Sequence, residues 1–478
     1  MPEIESSSNQ GGVGQWIIQS GGNSDVILPA TVPKVQVEIE DADKWIISVM
    51  EDGGRKSEAN PFEQKKLQKV IPELRNNKEF EGCYDPKIVS FGPYHHGKPE
   101  LQEAEKLKAA VAFDFINHSG MDPQEFYKKI VDFVVIIRDC YLPGSTDAYD
   151  DVAFARMMFL DGCFLLGFID NYMNRGMSVV TMLGNTLGSG RLGMFFGDFI
   201  LLENQLPFLV IQALMSIRYR DDEGEKMIDN FLHSSYAPRM ANKKQESQDE
   251  QRQPLHLLEL VRQKYLSHSH HKANGGRKKG KNSSSTTSKA SDHSFGSAIE
   301  LKAKGIHFKS SGISCLTDIS FTSSFGYGQL TLPPIVSSHQ SKVLFLNMMA
   351  HELAPNTSTG WEVCSYIYFM NSLISGADDV IELRSHNIIY NFLDSNEGVA
   401  KFFNTMASAA LFPNFDIIED VCDQIEEHYN SKTKTWVAQV LHDHFSTPWA
   451  ALAFLAALLV IFLTSTQTYF QVFPRPAN

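Results

Sequence analysis

Between Pro99 and about Ile217 the apolar positions recur at helical spacing, beginning with Leu101, Leu107, Val111 and Phe115. Asp122 followed by Pro123 has the form of an N-cap with proline at the first helical position. The spacing predicts a helix from there through Tyr127, Ile130, Phe133 and Ile137, ended by Pro143-Gly144. Asp150 to Ile169 reads as a strongly apolar helix. Met194 to Ile217 is apolar nearly all round, as a central buried helix would be, with Pro207 placed to kink or split it. Earlier, Trp45, Ile46, Val49 and Met50 predict a short amphipathic helix over Asp41 to Met50 that stops at Gly53-Gly54.

Further on, Gly305 to Phe308, Ile313 to Phe321 and Gln329 to Val336 are rich in β-branched and aromatic residues, and Gly and Ser turns separate them. They predict a small antiparallel sheet. Helical spacing resumes from about Ser341 to His444. The expected fold is therefore mainly α: a large helical domain with a small antiparallel β element and a C-terminal transmembrane helix. The expected organisation is a disordered N-terminal arm (1–40), an N-terminal helical part (41–240), a polar low-complexity insertion (241–296), a C-terminal part (297–446) and the membrane helix (447–473). Within the insertion, Leu255, Leu258, Val261 and Tyr265 mark one short helix. The run Arg277, Lys278, Lys279 and Lys281 reads as a solvated linker, with a nuclear-import or anionic-surface patch as the alternative.

The membrane helix is expected because Trp449 to Phe470 carries no charge and Ala450 to Leu463 is wholly apolar. At about 1.5 Å per residue this stretch reaches about 33 Å, against a hydrocarbon core of about 30 Å. Trp449 at one end and Tyr469 at the other suit the two interfaces, with Phe454, Leu458 and Phe462 between them. Thr464 to Thr468 is a polar run inside it, whose hydroxyls can bond back to the helix backbone but which shortens the apolar stretch, so a buried or interfacial helix is the alternative. Met1 to Gln10 has no apolar core of a signal peptide. The simplest expectation is one span near the C-terminus with the bulk in the cytosol. Lys432 and Lys434 before the span against Arg475 after it favour that orientation slightly, and the opposite topology stays open.

Composition narrows the function classes. With 43 Lys+Arg against 56 Asp+Glu the net charge is −13, which argues against a nucleic-acid partner. The 32 Phe require a sizeable core. Six cysteines, at 83, 140, 163, 315, 364 and 422, contain no CxxC pair and read as buried small hydrophobes. The sequons at Asn117, Asn282 and Asn356 are at the level chance gives.

Candidate chemistry is sparse. Gly188-Ser189-Gly190-Arg191-Leu192-Gly193 matches GxGxxG before a helix, and Ser178 to Leu183 has the composition of a preceding strand. A dinucleotide site also needs a second parallel strand ending in an acid about twenty residues on, and the sequence continues into the helix with Pro207 instead. No GxSxG, HExxH, Walker A or EF-hand string occurs. His95-His96, His442 with His444, and His268 with His270 and His271 lack the spacing of convergent ligands, so no metal and no cofactor are expected. Asp221-Asp222 and Asp378-Asp379 read as turns and helix starts. Glu203-Asn204-Gln205 places three polar side chains inside an apolar stretch. If buried they need partners, for which Arg75, His95 and His96 are candidates.

Several strings are more specific together. They are Ile71-Pro72-Glu73-Leu74-Arg75, the run from Tyr84-Asp85-Pro86 through Phe91-Gly92-Pro93-Tyr94-His95-His96-Gly97, and Leu160-Asp161-Gly162-Cys163-Phe164. Asp198 to Phe208, Ala298-Ile299-Glu300-Leu301, Gly305-Ile306-His307-Phe308, Leu332-Pro333-Pro334 and Pro448-Trp449 follow. In order and spacing they resemble the plant family known as domain of unknown function 247, also uncharacterised protein family 0481, over residues 45–473. The resemblance implies a membrane-associated protein with no established enzymatic activity. It also implies that some relatives act as self-incompatibility determinants through recognition of a partner. The expected function is thus a membrane-anchored interaction or signalling protein, not an enzyme, with the bilayer and an unidentified protein as partners. The alternative is a nucleotide-dependent enzyme using Gly188 to Gly193. The candidate structural or partner site comprises Arg75, Tyr94, His95, His96, Glu203, Asn204 and Gln205.

Overall fold

The computed structural model describes residues 66–176, 178–236, 253–266, 296–312, 314–324, 327–355, 357, 360–409, 418–430 and 448–472. The expectations for the N-terminal arm, for the helix at Trp45, for the basic run at 277–281 and for the histidines at 268–271 and 442–444 lie outside the described residues.

The first half is helical: α1 (Pro72–Arg75), α2 (Gln102–Asn117), α3 (Pro123–Asp132), α4 (Val134–Asp139), α5 (Asp151–Asn174), α6 (Ser178–Leu187), α7 (Leu192–Asp198), α8 (Phe208–Arg218) and α9 (Glu223–Ser235). After them come α10 (Leu257–Leu266) and α11 (Ala298–Ala303), then the strands β1 (Ile306–Ser310), β2 (Ser320–Ser324), β3 (Tyr327–Leu332) and β4 (Ile335–Ser337). Helices α12 (His339–Leu353), α13 (Glu362–Leu373) and α14 (Ala377–Ser385), strand β5 (Ile389–Asn391), and helices α15 (Asn396–Ala407), α16 (Glu419–Asn430) and α17 (Pro448–Val472) complete the described chain.

Local signals explain many of these boundaries. Asp122 caps α3 by accepting the Gln124 N–H at 2.9 Å, with Pro123 in the first turn. Asp150 caps α5 in the same way through the Ala153 N–H. The helix expected through Ile137 is broken at Phe133 into α3 and α4. The helix expected over 194–217 is split outright. The chain leaves α7 after Asp198 and re-enters α8 at Phe208, with Pro207 as its N-cap.

Helix α5 is the axis of the body. It is long and apolar enough to cross a membrane, yet 72% of its apolar window is buried, so it is a core helix. Gly167 lets α2 cross it closely, because a Cβ there would lie 2.9 Å from Phe115 Cβ and 3.1 Å from the Val111 carbonyl. Phe168 sits in an aromatic cluster, with ring centroids 4.8 Å from Phe195, 5.3 Å from Phe199 and 5.7 Å from Phe196. This is where much of the phenylalanine content is used.

The β element is small, as expected, but only the β2–β3 pair is antiparallel. Strand β1 joins β3 in parallel, Ile306 opposite Gly328, and β4 pairs in parallel with β5, Ile335 opposite Ile389. The short helix expected at 255–265 forms as α10. It is a core element, with Leu257, Leu258 and Val261 each 3% exposed or less. All six cysteines are free thiols, four of them buried.

The C-terminal helix differs from α5 in one respect. Its stretch Leu452–Tyr469 is also long and apolar enough to span a bilayer, and none of it is buried. Phe454, Leu458, Phe462 and Tyr469 are all exposed. Thr464, Ser465, Thr466 and Thr468 each donate a hydroxyl to the carbonyl four residues earlier, at 2.7 to 2.8 Å.

Candidate functional site

Residues 84–97 run through the body without regular structure, a path that exposes backbone N–H groups to an apolar interior. Three buried side chains meet that demand. Asp198, at the end of α7, accepts from Lys87 N at 2.9 Å, Ile88 N at 2.7 Å and Val89 N at 2.9 Å. Asn204 accepts from Phe91 N at 2.7 Å and donates to the carbonyls of Val89 and Asp198. Asp161, on α5, accepts from Gly92 N at 2.9 Å. Gly92 has φ +70°, and a Cβ on it would lie 2.6 Å from the Tyr141 hydroxyl, so the turn requires glycine.

Lys108, fully buried on α2, completes this frame. Its ammonium reaches Asp161 Oδ1 and Glu105 Oε1 at 2.6 Å each and the Ser90 carbonyl at 2.7 Å. The ammonium and three charged or dipolar oxygens are thus satisfied together, as a buried ion pair requires. Gln205 ties the loop to α10: its Nε2 donates to the carbonyls of Phe199 and Leu201, and its Oε1 accepts from Leu258 N at 3.0 Å. Asn347 on α12 does the same on the other side, accepting from Leu202 N and donating to the Cys83 carbonyl.

Glu203 faces a charged cluster. It accepts from Val70 N at 2.8 Å and pairs with Arg75, which also holds Asp85 at 2.8 Å. His95 lies between the two acids, Nε2 3.7 Å from Glu203 and Nδ1 3.9 Å from Asp85, and is 3% exposed. Burial, with Lys98 nearby, drops its pKa to about 4, so the ring is neutral at neutral pH. Burial alone would raise Asp85, but Arg75 and Lys98 hold it below the usual carboxylate range. Burial pushes Asp198 up to about 7 against its three amide donors.

Of the expected site residues, Arg75, His95 and Glu203 therefore converge, while Asn204 and Gln205 bind backbone. They do so from the non-helical stretch between α7 and α8, not from within a helix. Tyr94 packs edge-on against Tyr141 at 5.6 Å and donates to the Leu67 carbonyl; burial raises its phenol to about 12. His96 lies apart, edge-on to Tyr149 at 5.9 Å. The side chain of Trp449 lies outside the described residues. Lys108, Asp161 and Asp198 are the members that sequence reasoning missed as site residues. Lys108 did leave a signal, since it stands on the same helical stripe as Ala104, Val111 and Phe115, all buried.

A second knot joins α10, α12 and α13. Glu352 accepts from Arg262 Nε at 2.8 Å and from the N–H groups of Val363 and Cys364 at 2.9 Å each, closing the start of α13. The glycine string at 188–193 runs from the end of α6 into the first turn of α7. The strand expected over 178–183 is helical, so the strand–loop–helix geometry of a dinucleotide fingerprint is absent there.

The chain is 29% identical to a UPF0481 protein of Arabidopsis thaliana, over 81% of this chain and 82% of that protein. It is 22% identical to a second UPF0481 protein of the same plant, over 91% of this chain and 95% of that one. No solved structure matches the chain. The family model described as a plant protein of unknown function, DUF247, matches residues 67–463, and the chain belongs to that family.

Proposed function

We propose that this is a single-pass membrane protein whose helical body works by binding another protein rather than by catalysis. The observation that carries the membrane reading is the stretch Leu452–Tyr469 of α17, apolar, of spanning length and not buried against the body. In water that surface would be a large exposed apolar face; in a bilayer it is matched. The back-bonded hydroxyls of Thr464 to Thr468 support the same reading, since they lower the cost of a polar run in hydrocarbon. Lys432 and Lys434 before the span, against Arg475 after it, support a cytosolic body.

Binding is favoured over catalysis because Asp161, Asp198, Asn204 and Gln205 use their hydrogen bonds on the protein's own backbone. A recognition role of the self-incompatibility type is one form of that binding. The test fractionates the full-length chain beside one ending at Thr447. Retention of only the full-length chain through a carbonate wash, with its body digested by protease outside intact vesicles, is the expected result. Release by carbonate would sink the anchor, and a protected body would reverse the orientation. Affinity purification from pollen and from leaf then separates a pollen-restricted partner from a general one. Nucleotide binding abolished by Gly190→Trp would overturn the non-enzymatic reading.

A further inference from the structure

Five consecutive polar residues, Thr464 to Thr468, interrupt the apolar stretch of α17. Their four hydroxyls bond back to the helix, which leaves the carboxamide of Gln467. Neither it nor the carboxamide of Gln471, one turn on, has a hydrogen-bond partner among the described residues, and both side chains are exposed. Gln467 lies inside the stretch Leu452–Tyr469, and the Cα–Cβ bonds of a helix tilt toward its N-terminus. The side chain therefore leaves the helix toward the hydrocarbon, not toward the near headgroups. An amide without a partner is costly there, and lipid tails offer none.

The helix brings this amide into line with its small side chains. Ala453, Ala457, Val460, Thr464, Gln467 and Gln471 follow one another at alternating steps of four and three residues. At about 100° per residue they fall within about 40° of one line down the helix. Phe454, Leu458, Phe462 and Tyr469 fall on the other half. The stripe is low enough for a second backbone to approach closely, and it carries the amide that needs a partner.

We infer that α17 pairs in the membrane with α17 of a second copy of this chain, along the stripe from Ala453 to Gln471. A carboxamide is donor and acceptor at once, so across a two-fold axis each Gln467 donates to the other. Copies of one chain insert in the same orientation, so the two amides meet at the same depth. An unrelated helix would have to carry its own polar group at that depth, and lipid satisfies neither donor nor acceptor. The seven-residue repeat sets a shallow left-handed crossing of about 20°, in which the stripe stays at the contact along its length. This inference rests on the membrane reading above and adds a partner to it.

The test places full-length chains carrying a donor or an acceptor fluorophore together in phosphatidylcholine vesicles. Energy transfer is expected to rise linearly with the acceptor fraction, as a dimer requires, and to survive dilution with lipid. Gln467→Leu and Ala457→Ile should each weaken the association about tenfold. Both substitutions make the helix more apolar, so both chains should stay in the carbonate pellet, which separates lost pairing from a lost anchor. Gln467→Asn should keep the transfer. Phe462→Leu, on the other half of the helix, should leave it unchanged. Indifference to Gln467→Leu, or an equal loss with Phe462→Leu, overturns the proposal. So does self-association of equal strength by the chain ending at Thr447, which would assign the contact to the body. Retention in the carbonate pellet without any transfer removes this inference alone; release by carbonate removes the membrane reading with it.

Discussion

Asn204 shows how much one side chain carries in this fold. It holds one N–H and two carbonyls of backbone that water cannot reach. Asn204→Leu leaves Phe91 N–H unpaired and should cost about 3 kcal/mol, read from urea unfolding. Lys108→Met should cost about 3–5 kcal/mol, because it strands the Asp161 carboxylate in the core. The double change Lys108→Met with Asp161→Leu should recover part of that loss, and a strictly additive pair would show that the two do not act together. His95 supplies a pH signature. Its pKa is about 4 when folded and near 6.5 when unfolded, so below pH 6.5 the unfolded chain binds a proton that the folded one does not. Its contribution to stability is lost as pH falls from about 6.5 to about 4. Asp198, raised to about 7, acts in the opposite sense, gaining stability as pH falls through 7 toward the usual carboxylate value. The clean observable is therefore a difference. Between pH 7 and pH 5, His95→Phe should gain about 2 kcal/mol relative to the unsubstituted chain. A constant difference would show that the ring protonates normally.

Among the elements, α10 and the segment after it make contrasting predictions. Leu258 is fully buried on α10, so Leu258→Ala should cost about 3 kcal/mol. Deleting 267–294, which is polar and low in apolar residues, should leave the melting temperature within about two degrees. A drop of several degrees would mean that a packed element had been cut. The two segments adjoin in a stretch read as a polar insertion; Leu255, Leu258, Val261 and Tyr265 announced the helix, but so short a stripe does not announce a core position. Its place is set by Gln205, which bonds the Leu258 N–H from 53 residues away. Pro207 worked in the other direction. Its effect on the helix was legible, but the chain is already out of the helix for the eight residues before it, where Asn204 and Gln205 bond backbone outside any helix.

At the scale of the molecule, α5 and α17 are apolar helices that both satisfy the length and composition of a membrane span, and only their surroundings distinguish them. Leu458 stands mid-way along α17 and is exposed. Leu458→Arg should therefore be harmless if the helix lies in water. In a bilayer it opposes insertion by about 3 kcal/mol and should move a measurable fraction of the protein to the carbonate supernatant. No change in that fraction would argue against the span.

Capping at Asp122 and Asp150, the break at Pro207, the apolar stripes and the back-bonded hydroxyls of α17 depend on residues within a turn of one another, and the sequence alone determined them. The buried polar run at 203–205 was also legible, since polar residues in an apolar stretch require partners. Which partners they have was decided by the tertiary structure. Asp198 meets Val89 across 109 residues of chain, and Asn204 meets the same residue across 115. The parallel pairing of β4 with β5 and the core place of Lys108 are of the same kind. A buried donor must be satisfied, but propensity and spacing do not say by which distant acceptor; packing the whole chain selects it.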